Sequence, residues 1–231
     1  MFNRRTFDQF RVRLRSSGGP GWSAFGSAVN AAVYPSGLHA DTRAALNSPR
    51  GLLLAIADVS SDPSAGQRLM ERITKTYEEV PPDVDRLIAL RATLDQATRT
   101  LKGLSKGADA PARAPMIIST VIGDQWYGIN VGAIRCYHVH ASGRIDTVRL
   151  EPTAQRKLEA EDSLLLCTPA VSEKLDEYDI ALALYSNSPQ SAVQRLLVMA
   201  KDKGAQGALA AVAFGPQRSL VTNIFGRSPN K

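Results

Sequence analysis

The chain has 231 residues, 44% of them hydrophobic, and 28 Lys and Arg against 22 Asp and Glu give a formal net charge of +6. This is enough apolar content for one sizeable core, and no apolar run reaches the roughly 18 residues that a membrane span needs. The basic stretch 1–8 lacks the apolar run of a secretion signal, and Cys136 and Cys167 both sit in apolar strand-like runs. The expectation is therefore a cytoplasmic protein with two buried free thiols rather than a disulfide.

In chain order, strand-like runs are expected at 9–15, 22–34 and 51–58, with Ser16-Ser17-Gly18-Gly19-Pro20-Gly21 as the first turn. In the first run Arg11, Arg13 and Arg15 alternate with Val12 and Leu14, so the three Arg share one strand face. That face reads as solvated. No aromatic side chains are interleaved with the basic ones, so nucleic acid is not favoured as a partner, and a phosphate or acidic protein is the alternative there.

From 58 to 116 the apolar period becomes helical. One helix is expected over 64–77, ending before Pro81-Pro82, and a second over 83–101 with Leu87, Leu90, Leu94, Ala97 and Leu101 on one face and Gly103 and Gly107 as terminators. Strands follow at 116–122, 125–141, 144–150 and 163–168, with a hairpin turn at Ala141-Ser142-Gly143. Ser188 reads as the N-cap of a helix over 189–203, Gly204 as its stop, and 207–214 as a last strand. The organisation is α+β with antiparallel sheets, as one domain over 1–215 with a polar C-terminal tail over 216–231.

Several side-chain groupings bear on chemistry. Cys136, His138 and His140 alternate along one strand. A His-x-His pair can hold zinc, but three in a line need a further ligand to converge on one ion, so this reads as a strand with partly exposed histidines. Asp58 and Asp62 are candidates for a single weak cation, but the favoured reading is that one of them caps the helix that starts near Pro63 or Ser64. Ser60 and Ser61 have no His nearby and no G-x-S-x-G elbow to activate them. Cys167 has no basic neighbour to lower its pKa and reads as a core thiol.

The order of elements and four short motifs resemble the metal-dependent protein phosphatase 2C (PPM) family over about 22–214. Its A-D-G-M-G-G-H motif resembles Ala57-Asp58-Val59-Ser60-Ser61, and its V-G-D-S-R-A-Y motif resembles Val131-Gly132-Ala133-Ile134-Arg135-Cys136-Tyr137. Its D-x-L-L-L-C-S-D-G-L is similar to Asp162-Ser163-Leu164-Leu165-Leu166-Cys167-Thr168-Pro169-Ala170-Val171, and its closing helix, G-x-x-D-N to Gly204-Ala205-Gln206-Gly207-Ala208. The resemblance implies an α-β-β-α sandwich of two antiparallel sheets flanked by helices. It also implies two Mg²⁺ or Mn²⁺ ions, held by Asp carboxylates, whose bridging water attacks a phosphoserine or phosphothreonine.

The departures fall on the ligands. Asp58 is kept, but Val59 stands for the glycine after it, Pro169 for the Asp of S-D-G, Gln206 for the Asp of D-N, and Ala133 for the Asp of G-D-S, which is not generally a direct ligand. The family's early R-x-x-N-E-D motif would fall within 30–34, and 16–40 contains no Asp or Glu. Hard divalent ions need several carboxylates. The expectation is thus a catalytically inactive pseudophosphatase that needs no cofactor and acts as a binding or regulatory module. Its partner would be a Ser/Thr kinase, a phosphoprotein or a component of a kinase-regulated bacterial assembly such as a secretion system. The alternative is a weakly active metal-dependent phosphatase, using Mn or Mg, with ligands relocated to Asp58, Asp62, Asp124, His138 and His140.

Overall fold

The computed structural model describes residues 25–28, 42–48, 50–59, 63–104, 114–206 and 209–216. Arg11, Arg13, Arg15, Ser60, Ser61, Asp62, the 30–34 motif region and the tail from Gln217 lie outside the described residues. The elements begin with β1 (Phe25–Ala28), β2 (Thr42–Ser48) and β3 (Gly51–Ala57), then α1 (Pro63–Glu79) and α2 (Arg86–Leu104). Next come β4 (Met116–Ile122), β5 (Gln125–Val131), β6 (Arg135–Val139), β7 (Ile145–Thr147), β8 (Thr153–Lys157) and β9 (Ser163–Cys167). The chain ends in α3 (Pro169–Ser172), α4 (Glu177–Ser186), α5 (Pro189–Asp202) and β10 (Ala211–Pro216).

The strands form two five-stranded sheets, ordered β1-β10-β9-β6-β7 and β2-β3-β4-β5-β8, and each pairing is antiparallel. Strand alternation explains how they stack. In β3, Leu53, Ala55 and Ala57 pack under Leu69, Ile73 and Tyr77 of α1 and Leu90, Leu94, Ala97 and Leu101 of α2. The intervening Leu52, Leu54 and Ile56 meet Leu164 and Leu166 of β9 and Val212 and Phe214 of β10 in a core between the sheets. On the far side Tyr137, Val139, Leu165 and Ala213 lie under α4 and α5. Both faces of both sheets are therefore covered, with helices outermost.

Cys136 faces the inter-sheet core and Cys167 the helical layer, so the two thiols lie on opposite faces of one sheet and are free and buried, as expected. Burial raises the pKa of both, that of Cys167 to about 12.

Several expectations shift. The run read as one strand over 125–141 is two strands in different sheets: Gly132, at φ 84°, lets the chain cross from β5 to β6, and a Cβ there would meet the Pro115 backbone at 2.9 Å. α2 runs through Gly103 to Leu104 instead of ending at that glycine. The last strand starts at Ala211 rather than 207 and continues to Pro216. β2, β8, α3 and α4 were not anticipated. Ser188 does cap α5, accepting from the Ser191 N–H, and Gly204 at φ 75° stops it.

The turn between β2 and β3 anchors the α1–α2 connection. Arg50 is only 2% exposed, and its guanidinium donates to the Val80 and Val84 carbonyls at 3.2 and 2.8 Å and to that of Pro81. Its cation also lies 5.7 Å from the Tyr77 ring centroid. Tyr77 donates onward to Thr120 Oγ1 at 2.8 Å.

Candidate functional site

Register brings the strand ends of both sheets to one end of the sandwich. Ala57 pairs with Met116 and Met116 with Val131, while Arg135 and Ala211 both pair with Cys167. The short β5–β6 crossing joins the two sheets at this end. Asp58 leaves β3 here, half-buried, its N–H donating to the Pro115 carbonyl at 2.8 Å. Val59 follows as a core residue, 4% exposed.

Across the end, Thr168 closes β9 with a two-way bond to Ala210: its N–H donates to the Ala210 carbonyl at 3.0 Å, and its Oγ1 accepts from the Ala210 N–H at 3.1 Å. Pro169 then opens α3 at its first position, where its fixed φ and missing N–H are tolerated. Ala133 lies exposed in the β5–β6 crossing, and Gln206 is exposed on the approach to β10. Asp58, Val59, Ala133, Pro169 and Gln206 thus sit in segments that meet at this end.

Ala133 and Pro169 line an open depression of about 200 Å³, with Arg135, Tyr137, Thr147, Ser172 and Glu173. Burial pushes the Tyr137 phenol up to about 12, so it stays a neutral donor. Thr147 Oγ1 donates to Glu177 at 3.3 Å. The lining offers one cation, one carboxylate and three hydroxyls beside Ala133 and Pro169, a set without the several carboxylates that a hard divalent ion needs.

A second constellation lies at the opposite end of the β6–β9 pair. His138 is 3% exposed, which corrects the expectation of partly exposed histidines, and its Nε2 lies 2.8 Å from Oδ2 of the buried Asp162. Asp162 also accepts from the Glu159 N–H at 2.9 Å and the Ala141 N–H at 3.1 Å. Burial opposes its charge, but these donors and His138 outweigh that and hold its carboxyl below the usual range. His140, half-buried, stacks on His138 with ring centroids 4.1 Å apart and places Nε2 2.8 Å from Asp146 Oδ2. Cys136 stays in the core and does not join them. Asp162 and Asp146 were missed as site residues because each reaches the histidines from a neighbouring strand, a relation that linear spacing does not carry.

No protein-family model matches the chain, and no curated protein matches it. Solved structures do. PppA, a key regulatory component of T6SS in Pseudomonas aeruginosa, superposes with a TM-score of 0.67 at 20% identity, over 84% of this chain and 98% of its own. The Mycobacterium tuberculosis serine/threonine phosphatase PstP gives a TM-score of 0.68 at 16% identity, over 84% of this chain and 100% of its own. Its catalytic domain in complex with two manganese ions gives the same score and identity. At these identities the likeness is one of architecture: the chain has the α-β-β-α fold of the PPM Ser/Thr phosphatases.

Proposed function

We propose that this protein is a pseudophosphatase, a phosphatase-2C-like scaffold without the two-metal centre that works by binding a protein partner. The observation that carries the reading is the set of side chains at the Asp58 end of the sandwich. At positions that the resemblance assigns to metal-holding residues stand one carboxylate, Asp58, and then Val59 and Pro169. In the closing motif Gln206 stands beside Gly207, where the G-x-x-D-N spacing counted from Gly204 puts the Asp, and neither is an acid. Two divalent ions ~3.5–4 Å apart need several carboxylates to offset their repulsion and lost hydration. A proline ring and a primary amide do not supply that charge, so this donor set does not fit the pair, and no cofactor is part of the reading.

Two further features support binding. The depression beside Pro169 offers Arg135 and hydroxyl groups to a polar segment. α4 exposes Tyr178, Leu182 and Tyr185 at i, i+4 and i+7, an aromatic stripe of the type that protein interfaces use. PppA is described as a regulator of a secretion system. In line with that, the partner proposed here is a phosphoprotein, a Ser/Thr kinase or a component of a kinase-regulated assembly of this type, and the site of action is the cytoplasm. No helix among the described residues is long and apolar enough to cross a membrane. One domain over 1–215 with a tail over 216–231 completes the proposal, although β10 reaches Pro216.

The second reading is a weakly active metal-dependent phosphatase. It is favoured by the retained Asp58 and by the two manganese ions of the PstP domain. Hydrolysis of phosphoserine and phosphothreonine peptides in Mn²⁺ or Mg²⁺ separates the two. No turnover above the metal-only blank is expected; turnover that disappears in Asp58→Ala would overturn the pseudophosphatase reading.

A further inference from the structure

The chemistry left unused by this reading lies at the other end of the β6–β9 pair. Asp162 to Pro169 is seven residues of extended chain, roughly 20 Å at about 3.3 Å per residue, so the histidine constellation is remote from the Asp58 end. His140 Nε2 lies 2.8 Å from Asp146 Oδ2, which only accepts, and 2.9 Å from the Arg144 guanidinium, which only donates, so these two contacts favour opposite tautomers of the ring. The Arg144 guanidinium also donates to Asp146 Oδ2 at 3.2 Å.

In the tautomer with its proton on Nε2, the form that a metal-bound His140 would take, Nδ1 presents a lone pair toward Asp162 Oδ1 at 3.9 Å. Two acceptors opposed in this way repel unless a cation lies between them. Two ligand atoms about 2.0–2.1 Å from a tetrahedral zinc lie roughly 3.3–3.4 Å apart, so the 3.9 Å gap would close by about half an ångström on binding. On the other oxygen of Asp162 sits His138 Nε2, at 2.8 Å. One ligand atom from each of His138, His140 and Asp162 can be chosen so that all lie within 4.8 Å of one another.

We propose that His138, His140 and Asp162 form a binding site for a single zinc-class cation, distinct from the proposed partner surface and independent of it. The ligands are His138 Nε2, His140 Nδ1 and a carboxylate oxygen of Asp162, with water in the fourth position. The ion takes the place of the proton between His138 Nε2 and Asp162, and the single proton of the neutral ring moves to Nδ1, as in a neutral ligand imidazole. Partners that orient the ligands are already present. Asp146 holds His140 by its other nitrogen, and the Glu159 and Ala141 N–H groups fix the Asp162 carboxylate. His140 is half-buried, which gives the ion and its water an entry path.

The two imidazoles set the metal. Nitrogen donors suit zinc, copper, nickel and ferrous iron, whereas manganese and magnesium favour all-oxygen sets. The ion would clamp the end of β6 to the start of β9. That predicts a stabilising rather than a hydrolytic role. The gap of sequence logic noted above, three residues in a line lacking a convergent ligand, is filled by Asp162 from the adjacent strand.

The test uses the full untagged chain stripped of metal, dialysed against Zn²⁺ and, separately, Mn²⁺, with bound metal counted and melting temperature followed. One Zn²⁺ per chain is expected, with a raised melting temperature, while Mn²⁺ at about 100 µM leaves both unchanged. His140→Gln, at the less buried ligand, should keep the fold and weaken zinc binding at least about tenfold. Co²⁺ should give tetrahedral absorption bands in the wild type that are lost in this variant, a readout that folding alone does not move. Zinc that fails to bind at about 100 µM, or that binds His140→Gln as tightly as the wild type, would overturn the site. Phosphopeptide turnover is expected to be unaffected by zinc in either protein, so failure here leaves the pseudophosphatase reading separately testable.

Discussion

Arg50→Met should destabilise the fold by about 2–3 kcal/mol, although it removes a buried charge and keeps an unbranched stem in the site. The guanidinium is sequestered, and its hydrogen-bond acceptors are carbonyls: Val80, Pro81 and Val84 accept from its two terminal nitrogens, and its Nε has no hydrogen-bond partner. Hydrogen bonds to a charged donor contribute about 1.5–3 kcal/mol each, so three total at most about 5–9 kcal/mol. Burying the cation costs several kcal/mol, which brings the net to about 2–3. The Val80 and Pro81 carbonyls lie just past the C-terminus of α1, where the helix dipole adds to the attraction, while that of Val84 lies just before α2.

Arg50→Ala removes about three further buried methylenes at about 0.8 kcal/mol each, for a total near 5 kcal/mol. For a chain of this size each kcal/mol moves the melting temperature by about 2–4 °C. Thermal unfolding by circular dichroism should therefore show Arg50→Met lower by about 4–12 °C and Arg50→Ala lower still. A methionine variant as stable as the wild type would refute the reasoning, because it would mean that the carbonyl clamp does no more than offset the desolvation of the charge.

Two further outcomes follow from the burial and pairing of titratable groups. With Cys167 pushed up to about 12 by burial and Cys136 raised further by the same cause, native protein at about pH 8 should not react rapidly with a disulfide reagent. Unfolded chain should release two equivalents, matching its two cysteines, and a fast-reacting thiol in native protein would contradict the core placement. Lys203 donates to Asp179, which lowers the aspartate pKa and raises that of the lysine. The aspartate's share of stability is present above its unfolded value of about 3.9 and is lost as pH falls through the folded value. The lysine's share is present below about 10.4 and is lost as pH rises through its folded value. The melting-temperature difference between wild type and Lys203→Met should thus be flat from about pH 5 to 9 and shrink at both extremes. A difference unchanged at about pH 3 and pH 11 would show that the pair contributes no charge interaction.

The layers of the fold were legible where burial writes a period. Leu90, Leu94, Ala97 and Leu101 gave α2 its core face, and the run before Asp58 gave β3. β8 was not legible: Thr153-Ala154-Gln155-Arg156-Lys157 is an edge strand whose side chains are largely exposed, so no apolar alternation marks it. α4 was hidden for the opposite reason. Ile180, Ala183 and Leu184 are buried while Tyr178, Leu182 and Tyr185 are exposed, so apolar residues occupy both the core and the solvent face and no one-sided amphipathic period marks the helix. The split of 125–141 was masked by continuous strand character on both sides of Gly132, whose positive φ is what sends the chain to the other sheet.

At the Asp58 end, the proposed departures at Pro169 and in the Gln206–Gly207 segment rest on motif positions, since each follows or precedes a strand that burial defines. The His138–Asp162 pair could not be read that way. It joins residues 24 apart through the β6–β9 register, and nothing in the spacing of either segment announces the other. Sequence resolves what lies along one element. Contacts between elements need the register.

The central claim is that the Asp58 end of the sandwich holds no binuclear metal centre. Crystals of the full chain soaked in Mn²⁺ and measured at the manganese absorption edge test it most directly. The account predicts no pair of anomalous peaks between Asp58, Pro169 and the segment leading into β10. Two peaks ~3.5–4 Å apart there, with Asp58 as a ligand, would contradict it.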